Sequence, residues 1–191
     1  MLDVKVRVAP FAAASGDRRY FNPNTDRRLL EHANLIKRAM EASILMHLYP
    51  RSKIEISVVI LADDGGRLCA AINAATCALI DAGIPLRDFI CACSAGFSED
   101  GHHLVDLNRE EINQDQSTII CASMPQRDNS IVLCQCQSRL SSDQTLQDLM
   151  DSAILGCQAV FQVMSNAIRQ RAISVHKAHH GTANIQLNFQ N

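Results

Sequence analysis

The feature that most constrains this chain is a change of hydrophobic period, repeated several times along it. Val4, Val6 and Val8 alternate with Lys5 and Arg7 before Pro10 stops the run. A period of two places one set of side chains on a single face, so this stretch reads as a half-buried strand. The period then lengthens. Leu29, Ala33, Ile36, Met40 and Ile44 fall on one helical stripe that Asp26 can cap and that Pro50 closes. Residues 53–61 are β-branched and read as a second strand, closed by the turn Asp63-Asp64-Gly65-Gly66. Leu68, Ile72, Ala75 and Leu79 return to helical spacing until Gly83 and Pro85 end the helix. Four strands follow at 89–97, 102–107, 117–124 and 130–138, separated by Gly, Asn and Asp turns. A last helix begins near Asp143 and carries Leu146, Met150, Ala153, Cys157, Val160, Met164 and Ile168 on one side. It is expected to run to about Arg171, with residues 173–191 as a flexible tail.

The order strand, helix, strand, helix, four strands, helix predicts an α/β (α+β layered) domain with a mixed sheet and packed helices. At 191 residues the chain suits one domain or two fused halves, and 47% hydrophobic residues allow a core of ordinary size. Aromatic residues are 4% and Trp is absent, so aliphatic and Ala packing must fill that core. No internal repeat or low-complexity block interrupts it.

Charge is unevenly placed. Residues 1–53 hold ten Lys and Arg against five acids, and the remainder holds eight against fifteen, which together give the net charge of −2. A basic end on a near-neutral chain fits a polyanion touching one face, or a solvated charged surface. Residues 12–25, with Arg18 and Arg19, read as an exposed basic loop.

The eight cysteines lack the framework of a small secreted domain and point to a reducing compartment. Cys91 and Cys93, and Cys134 and Cys136, are two apart, which in a strand means one face; each pair is expected to pack as core thiols rather than to bind zinc. No apolar run approaches the roughly 18–20 residues of a membrane span, and the N-terminus shows no signal-peptide core. His176, His179 and His180 have no Cys or acidic partners nearby in sequence and read as a solvated cluster. Neither a metal nor a cofactor is expected.

Several motifs are more specific. The runs PRSKIEI (50–56), DDGGRLCAAINAAT (63–76), DAGIPLRDFICACSAGF (81–97) and DLN (106–108), with DRRLLEHANLIKRAMEASIL (26–45), resemble the RNase PH superfamily. Within it they are most similar to the eukaryotic counterpart of the exosome ring subunit that carries the active site in archaea. The resemblance covers roughly residues 4–172. It implies a fold like domain 2 of ribosomal protein S5, with residues 1–85 and 86–172 as its two halves. It further implies a heterodimer with another RNase PH-like subunit, a hexameric ring, RNA cap subunits above it, single-stranded RNA in the channel and no membrane. The implied locations are nucleus, nucleolus and cytoplasm. Family members carry some fifty to sixty residues before the strand that opens this sequence, so an unpaired sheet edge is expected here.

Active relatives attack the terminal phosphodiester with inorganic phosphate. That chemistry needs an Arg and backbone amides for two anions, and carboxylates for a metal ion or a proton. Aligned through Asn73-Ala74-Ala75-Thr76, the family's Ser/Thr position is Arg67 and its Arg position is Leu68. Counting from Asp106-Leu107-Asn108 puts the two acidic positions at Ile112 and Thr118, with Glu111 and Asp115 nearby but out of register. The resemblance therefore implies degenerate catalytic positions and a non-catalytic RNA-binding scaffold; the alternative is an active phosphate-dependent exoribonuclease in which Arg67 rescues the anion site. Arg28 falls where relatives contact RNA or phosphate and Arg27 lies beside it; with Arg18, Arg19 and Arg67 these are the candidate RNA-binding residues.

Overall fold

A computed structural model describes residues 1–12, 27–98, 101–112, 117–136 and 142–180. β1 (Leu2–Val8) alternates as the sequence predicts, with Leu2, Val4 and Val6 buried. It pairs in parallel with β2 (Ile54–Ile60), from Leu2 opposite Ile54 to Val8 opposite Ile60. The parallel pairing requires a crossover, and α1 (Arg27–Ser43) supplies it, burying Leu29, Ala33, Ile36 and Met40. The helix stops at Ser43. Ile44 stays buried but forms a bridge to Leu86 instead of a further helical turn. The expected cap, Asp26, lies outside the described residues.

α2 (Arg67–Asp81) buries the predicted stripe of Leu68, Ile72, Ala75 and Leu79. Gly83 takes a φ of 70° just past its end, a left-handed conformation that glycine adopts without strain. Four further strands, β3 (Cys91–Phe97), β4 (His103–Val105), β5 (Thr118–Met124) and β6 (Ser130–Cys136), form an antiparallel sheet in the order β4-β3-β5-β6. Between β4 and β5 sits a single turn, α3 (Arg109–Ile112). α4 (Asp143–His180) closes the described chain.

Parallel and antiparallel pairing are both present, but in two separate sheets rather than one mixed sheet. The reason is packing. α1 and α2 join Leu2, Val4, Ile54 and Ile56 of the first sheet to Ala92, Ala122 and Met124 of the second in one core. The other face of the second sheet meets α4, through Ala95, Ile119 and Cys121 against Leu149 and Ala153, and Cys91 and Cys93 against Cys157 and Met164. The layers are therefore sheet, helices, sheet, helix.

Polar groups fix this stacking as well as apolar ones. The Asn73 side chain donates to the Ala92 carbonyl at 2.9 Å and accepts from the Ala92 N–H at 2.8 Å. Thr76 Oγ1 donates to the Ile90 carbonyl at 3.0 Å. Asp88, 5% exposed, accepts from the Phe89 and Gln126 N–H groups. Gly156 lets α4 approach, since a Cβ there would lie 2.7 Å from both Cys93 Sγ and Val105 Cγ1.

Two expectations change. α4 continues nine residues past Arg171, so 173–180 are helical rather than part of a tail. No Gly or Pro occurs between Arg171 and Gly181, and Arg171 Nε reaches Asp81 of α2 at 3.5 Å. The cysteine pairs also divide. Cys91 and Cys93 are buried, whereas Cys134 and Cys136 are exposed, because β6 is an edge strand that α4 does not cover.

Burial pushes the Cys91 thiol up to about 12 and the Cys93 thiol to about 11, from an ordinary 9.0. In the unfolded chain these thiols ionise near their ordinary value, while in the fold they keep their protons. Their contribution to stability is thus complete below about pH 9 and is lost as pH rises toward 12. Urea midpoints should fall between pH 9 and 10.5, and Cys91→Ala with Cys93→Ala should flatten that fall. Asn73→Ala, which strands two buried backbone groups, should lower stability by about 2 kcal/mol in the same titrations at neutral pH.

Candidate functional site

The turn between β2 and α2 decides the site. Gly65 has a φ of 105°, and a Cβ on it would lie 2.7 Å from the Leu107 carbonyl oxygen. Only glycine lets this turn press against the segment after β4. Gly66, with a φ of 57°, is the N-cap of α2 and brings no side-chain cap. The first helical bond runs from Ala70 N–H to the Gly66 carbonyl at 2.9 Å, so the amides of residues 67–69 have no carbonyl partner within the helix.

Against this turn lies a cavity of about 160 Å³. It is lined by Arg67 and Leu68 from α2, Ile112 from α3, Thr118 from β5, His32 from α1 and Gln135 from β6. The fold thus gathers four positions singled out in the sequence, drawn from three elements, around one small space. Leu68 is 3% exposed and anchors its helix in the core, while Ile112 is 40% exposed at the rim. Arg67 reaches Asp63 at 3.1 Å, and both side chains are largely enclosed. Its guanidinium already faces a carboxylate, which sets it apart from an anion site open to phosphate.

The nearby acid Glu111 is also engaged. Its carboxylate accepts the Asn108 N–H at 2.8 Å, and Asn108 Oδ1 accepts the Glu111 N–H at 2.9 Å. This reciprocal cap holds the turn that presents Ile112. Asp115 lies outside the described residues.

Arg27 and Arg28 are exposed in the first turn of α1, which carries no acid. Two cations at the positive end of a helix oppose its dipole by about 0.3–1 kcal/mol each, so helix stability alone does not explain them. Arg28 and His32 are one helical turn apart and share a face, and His32 lines the cavity. Arg18 and Arg19 lie outside the described residues. Elsewhere in the basic end, Lys5 pairs with Glu55, and Lys53 with Asp3 at 2.9 Å and Glu55 at 3.4 Å. Part of the charge excess is thereby spent locally.

Three features of the site escaped the sequence reading. Asn108-x-x-Glu111 was a visible signal for α3, and Asp63-x-x-x-Arg67 a visible signal for the ion pair. Gln135 gave none; its Oε1 is buried and has no hydrogen-bond partner among the described residues. His176 lines a groove between α2 and α4, while the side chains of His179 and His180 lie outside the described residues. Among the described residues no group of three or more His, Cys, Asp or Glu is arranged to hold a metal ion. None of their helices is long and apolar enough to cross a membrane.

Comparison with known proteins agrees with this architecture. Residues 1–85 match domain 1 of the 3′ exoribonuclease family, RNase PH, and residues 88–155 match its domain 2. The exosome complex component Rrp41 of Thermococcus kodakarensis is 36% identical over 175 residues, covering 92% of this chain and 68% of that protein. This chain belongs to the RNase PH family of 3′ exoribonucleases. A second RNase PH relative, RRP41 of Bos taurus, is 39% identical over 162 residues, 85% of this chain and 64% of its own length. Among solved structures, rice Rrp46 superposes with a TM-score of 0.75 at 20% identity, over 88% of this chain and 73% of that one. An Archaeoglobus fulgidus exosome with RNA bound to the active site superposes with a TM-score of 0.66 at 19% identity, over 84% and 69%. The RNase PH fold is thus common to all of them.

In this RNase PH chain, Asp63 and Arg67 form a neutral pair at the cavity edge. Asp63→Asn should release the guanidinium and raise affinity for inorganic phosphate about tenfold, measured by calorimetric titration. Adding Arg67→Ala to that variant should remove the gain.

Proposed function

We propose that this chain is a catalytically silent subunit of an exosome ring, which guides RNA and supports 3′-to-5′ RNA processing and degradation, including rRNA maturation and mRNA decay. The similarity to exosome complex components supports the assembly. One observation supports the silence: Leu68, Ile112 and Thr118 border a single cavity whose Arg67 is paired with Asp63. Phosphorolysis brings two phosphates together and so requires uncompensated cations and a carboxylate for a metal or a proton. A leucine, an isoleucine and a threonine offer neither. Loss of one preorganised donor costs about 10²–10³ in rate, and several are replaced here.

RNA contact falls to Arg27 and Arg28, with Arg18 and Arg19 earlier in the sequence and Arg67 at the cavity. Guanidinium forks grip phosphodiesters irrespective of base. In this reading the subunit pairs with another RNase PH-like subunit and enters a hexameric ring beneath RNA cap subunits, with residues 1–85 and 86–172 as its two halves. The ring serves nucleus, nucleolus and cytoplasm, and the chain itself needs no cofactor.

The uncapped start of α2 beside Arg67 favours a second reading, an active phosphate-dependent exoribonuclease, and one assay separates the two. The reconstituted ring, supplied with poly(A) and phosphate, should release no nucleoside diphosphate attributable to this subunit; release that disappears in Arg67→Ala would establish the second reading instead. In filter binding of short RNA to the same ring, Arg27→Glu with Arg28→Glu should weaken affinity at least about tenfold. It should also reduce the log–log salt slope by about 1.4, the value for two lost single-strand contacts.

A further inference from the structure

The cysteines left outside the core form an ordered arrangement with those inside it. Across the second sheet, Cys93 of β3 stands opposite Cys121 of β5, and Cys121 stands opposite Cys134 of β6. Residues directly opposite in antiparallel strands share a face, so three thiols form one row on the side that meets α4. Cys157 of α4 sits over the row, its Sγ 3.6 Å from the Cys121 carbonyl. All eight cysteines are thiols.

The backbone distinguishes the two cross-strand pairs. In an antiparallel sheet each residue points its N–H and C=O to one neighbour only, and opposed pairs alternate between hydrogen-bonded and non-hydrogen-bonded. Ala92 gives both groups to Asn73, on the side away from β5, and Ser94 accepts from Asp106 on the β4 side. Cys93, between them, must therefore direct its groups toward β5, which makes Cys93 and Cys121 the hydrogen-bonded pair. Cys121 has then turned its N–H and C=O toward β3. Cys121 and Cys134 are left as a non-hydrogen-bonded pair, the closer kind, with Cα atoms about 4.5 Å apart and side chains adjacent. That spacing lies within the roughly 4.4–6.8 Å that a disulfide spans. The neighbouring thiol Cys136 is two residues along the same strand, about 6.6 Å away at a rise of about 3.3 Å per residue, and in register with Ile119 rather than with a cysteine.

We propose that Cys121 and Cys134 form a cross-strand dithiol oxidation site, whose co-reactant is a small hydroperoxide. Cys134 is exposed and reacts first. Its sulfur attacks a peroxide oxygen, the O–O bond breaks, and the released hydroxide takes the thiol proton to leave as water. Cys134 becomes a sulfenic acid, oxidised by two electrons as the peroxide is reduced. The Cys121 sulfur then attacks the Cys134 sulfur, the S–O bond breaks, and hydroxide leaves with the Cys121 proton as a second water. Two thiols and one hydroperoxide, taken as hydrogen peroxide, give one disulfide and two waters. Burial raises the Cys134 thiol, and Cys157 beside Cys121, followed by burial, raises Cys121. Little thiolate is present at neutral pH, so the reaction is slow, on the order of hours. The bridge pins β6 to β5 immediately beside Ile120 and Gln135, an opposed pair that lines the cavity next to α2. The site does not depend on the RNA reading.

The test uses the whole chain, treated with hydrogen peroxide, blocked with N-ethylmaleimide and digested with trypsin. Arg127 lies between the two cysteines, so cleavage there places them on separate peptides held together only by a disulfide. The expected result is a Cys121–Cys134 linked pair, two fewer alkylated thiols and full reversal by dithiothreitol. Cys134→Ser should abolish the link, and Cys136→Ser should leave it intact. The inference is overturned if all eight thiols survive the treatment. It is equally overturned if Cys134 is found joined to another cysteine or another chain, or oxidised irreversibly without a link.

Discussion

Everything in this structure depends on β3 being buried on both faces. Cys91 through Gly96 are all inaccessible, because α1 and α2 cover one side of the sheet and α4 the other. A strand in that position can expose no polar side chain, and its own backbone groups must be paired. The small residues of the CACSAG run meet the first demand. They leave room for Gly156 of α4 to press onto Cys93. Asn73 meets the second by binding Ala92 where no strand does. Register, helix placement and the position of α2 relative to the sheet are fixed together by that contact.

The cavity inherits its geometry from the same contact. α2 begins at a glycine pair pressed against the segment after β4, so its first turn meets β5, β6, α3 and α1 at one point. The cavity's described walls are mostly packed, and they hold the ion pair of Asp63 with Arg67. Leu68 extends the core stripe of its helix, Ile112 is held by a cap built from Asn108 and Glu111, and Arg67 is neutralised by Asp63. Each of these contacts serves the fold. By contrast, Arg27 and Arg28 sit where helix stability would prefer acids. The proposal of RNA contact without turnover rests on that contrast between a cavity whose cation is paired and a cationic helix start.

The cysteines show how a single pattern divides according to depth. Cys91-x-Cys93 and Cys134-x-Cys136 have the same spacing and the same strand context. One pair lies at the centre of the sheet and the other on its edge, so one is locked in the protonated form and the other meets solvent. Period-two patterning identifies a shared face but carries no information about whether another layer covers it.

The sequence by itself determined the elements. The alternation of Val4, Val6 and Val8, the stripes of α1 and α2, the glycine and proline that end α2, and the four later strands are all local consequences of residue spacing and backbone preference. It also carried the motifs that mark the RNase PH family and placed Leu68, Ile112 and Thr118 close to them. Only the tertiary structure decided how these meet. It split the pairing into two sheets, since helices of adequate bulk separate β2 from β3. It extended α4 to His180, where contact with α2 and the lack of a breaker outweighed the polar composition of the segment. It closed Arg67 onto Asp63, and it brought Gln135 to a cavity that no spacing rule reaches. Local propensities act over a few residues, whereas burial and charge pairing depend on which distant segments arrive at the same place.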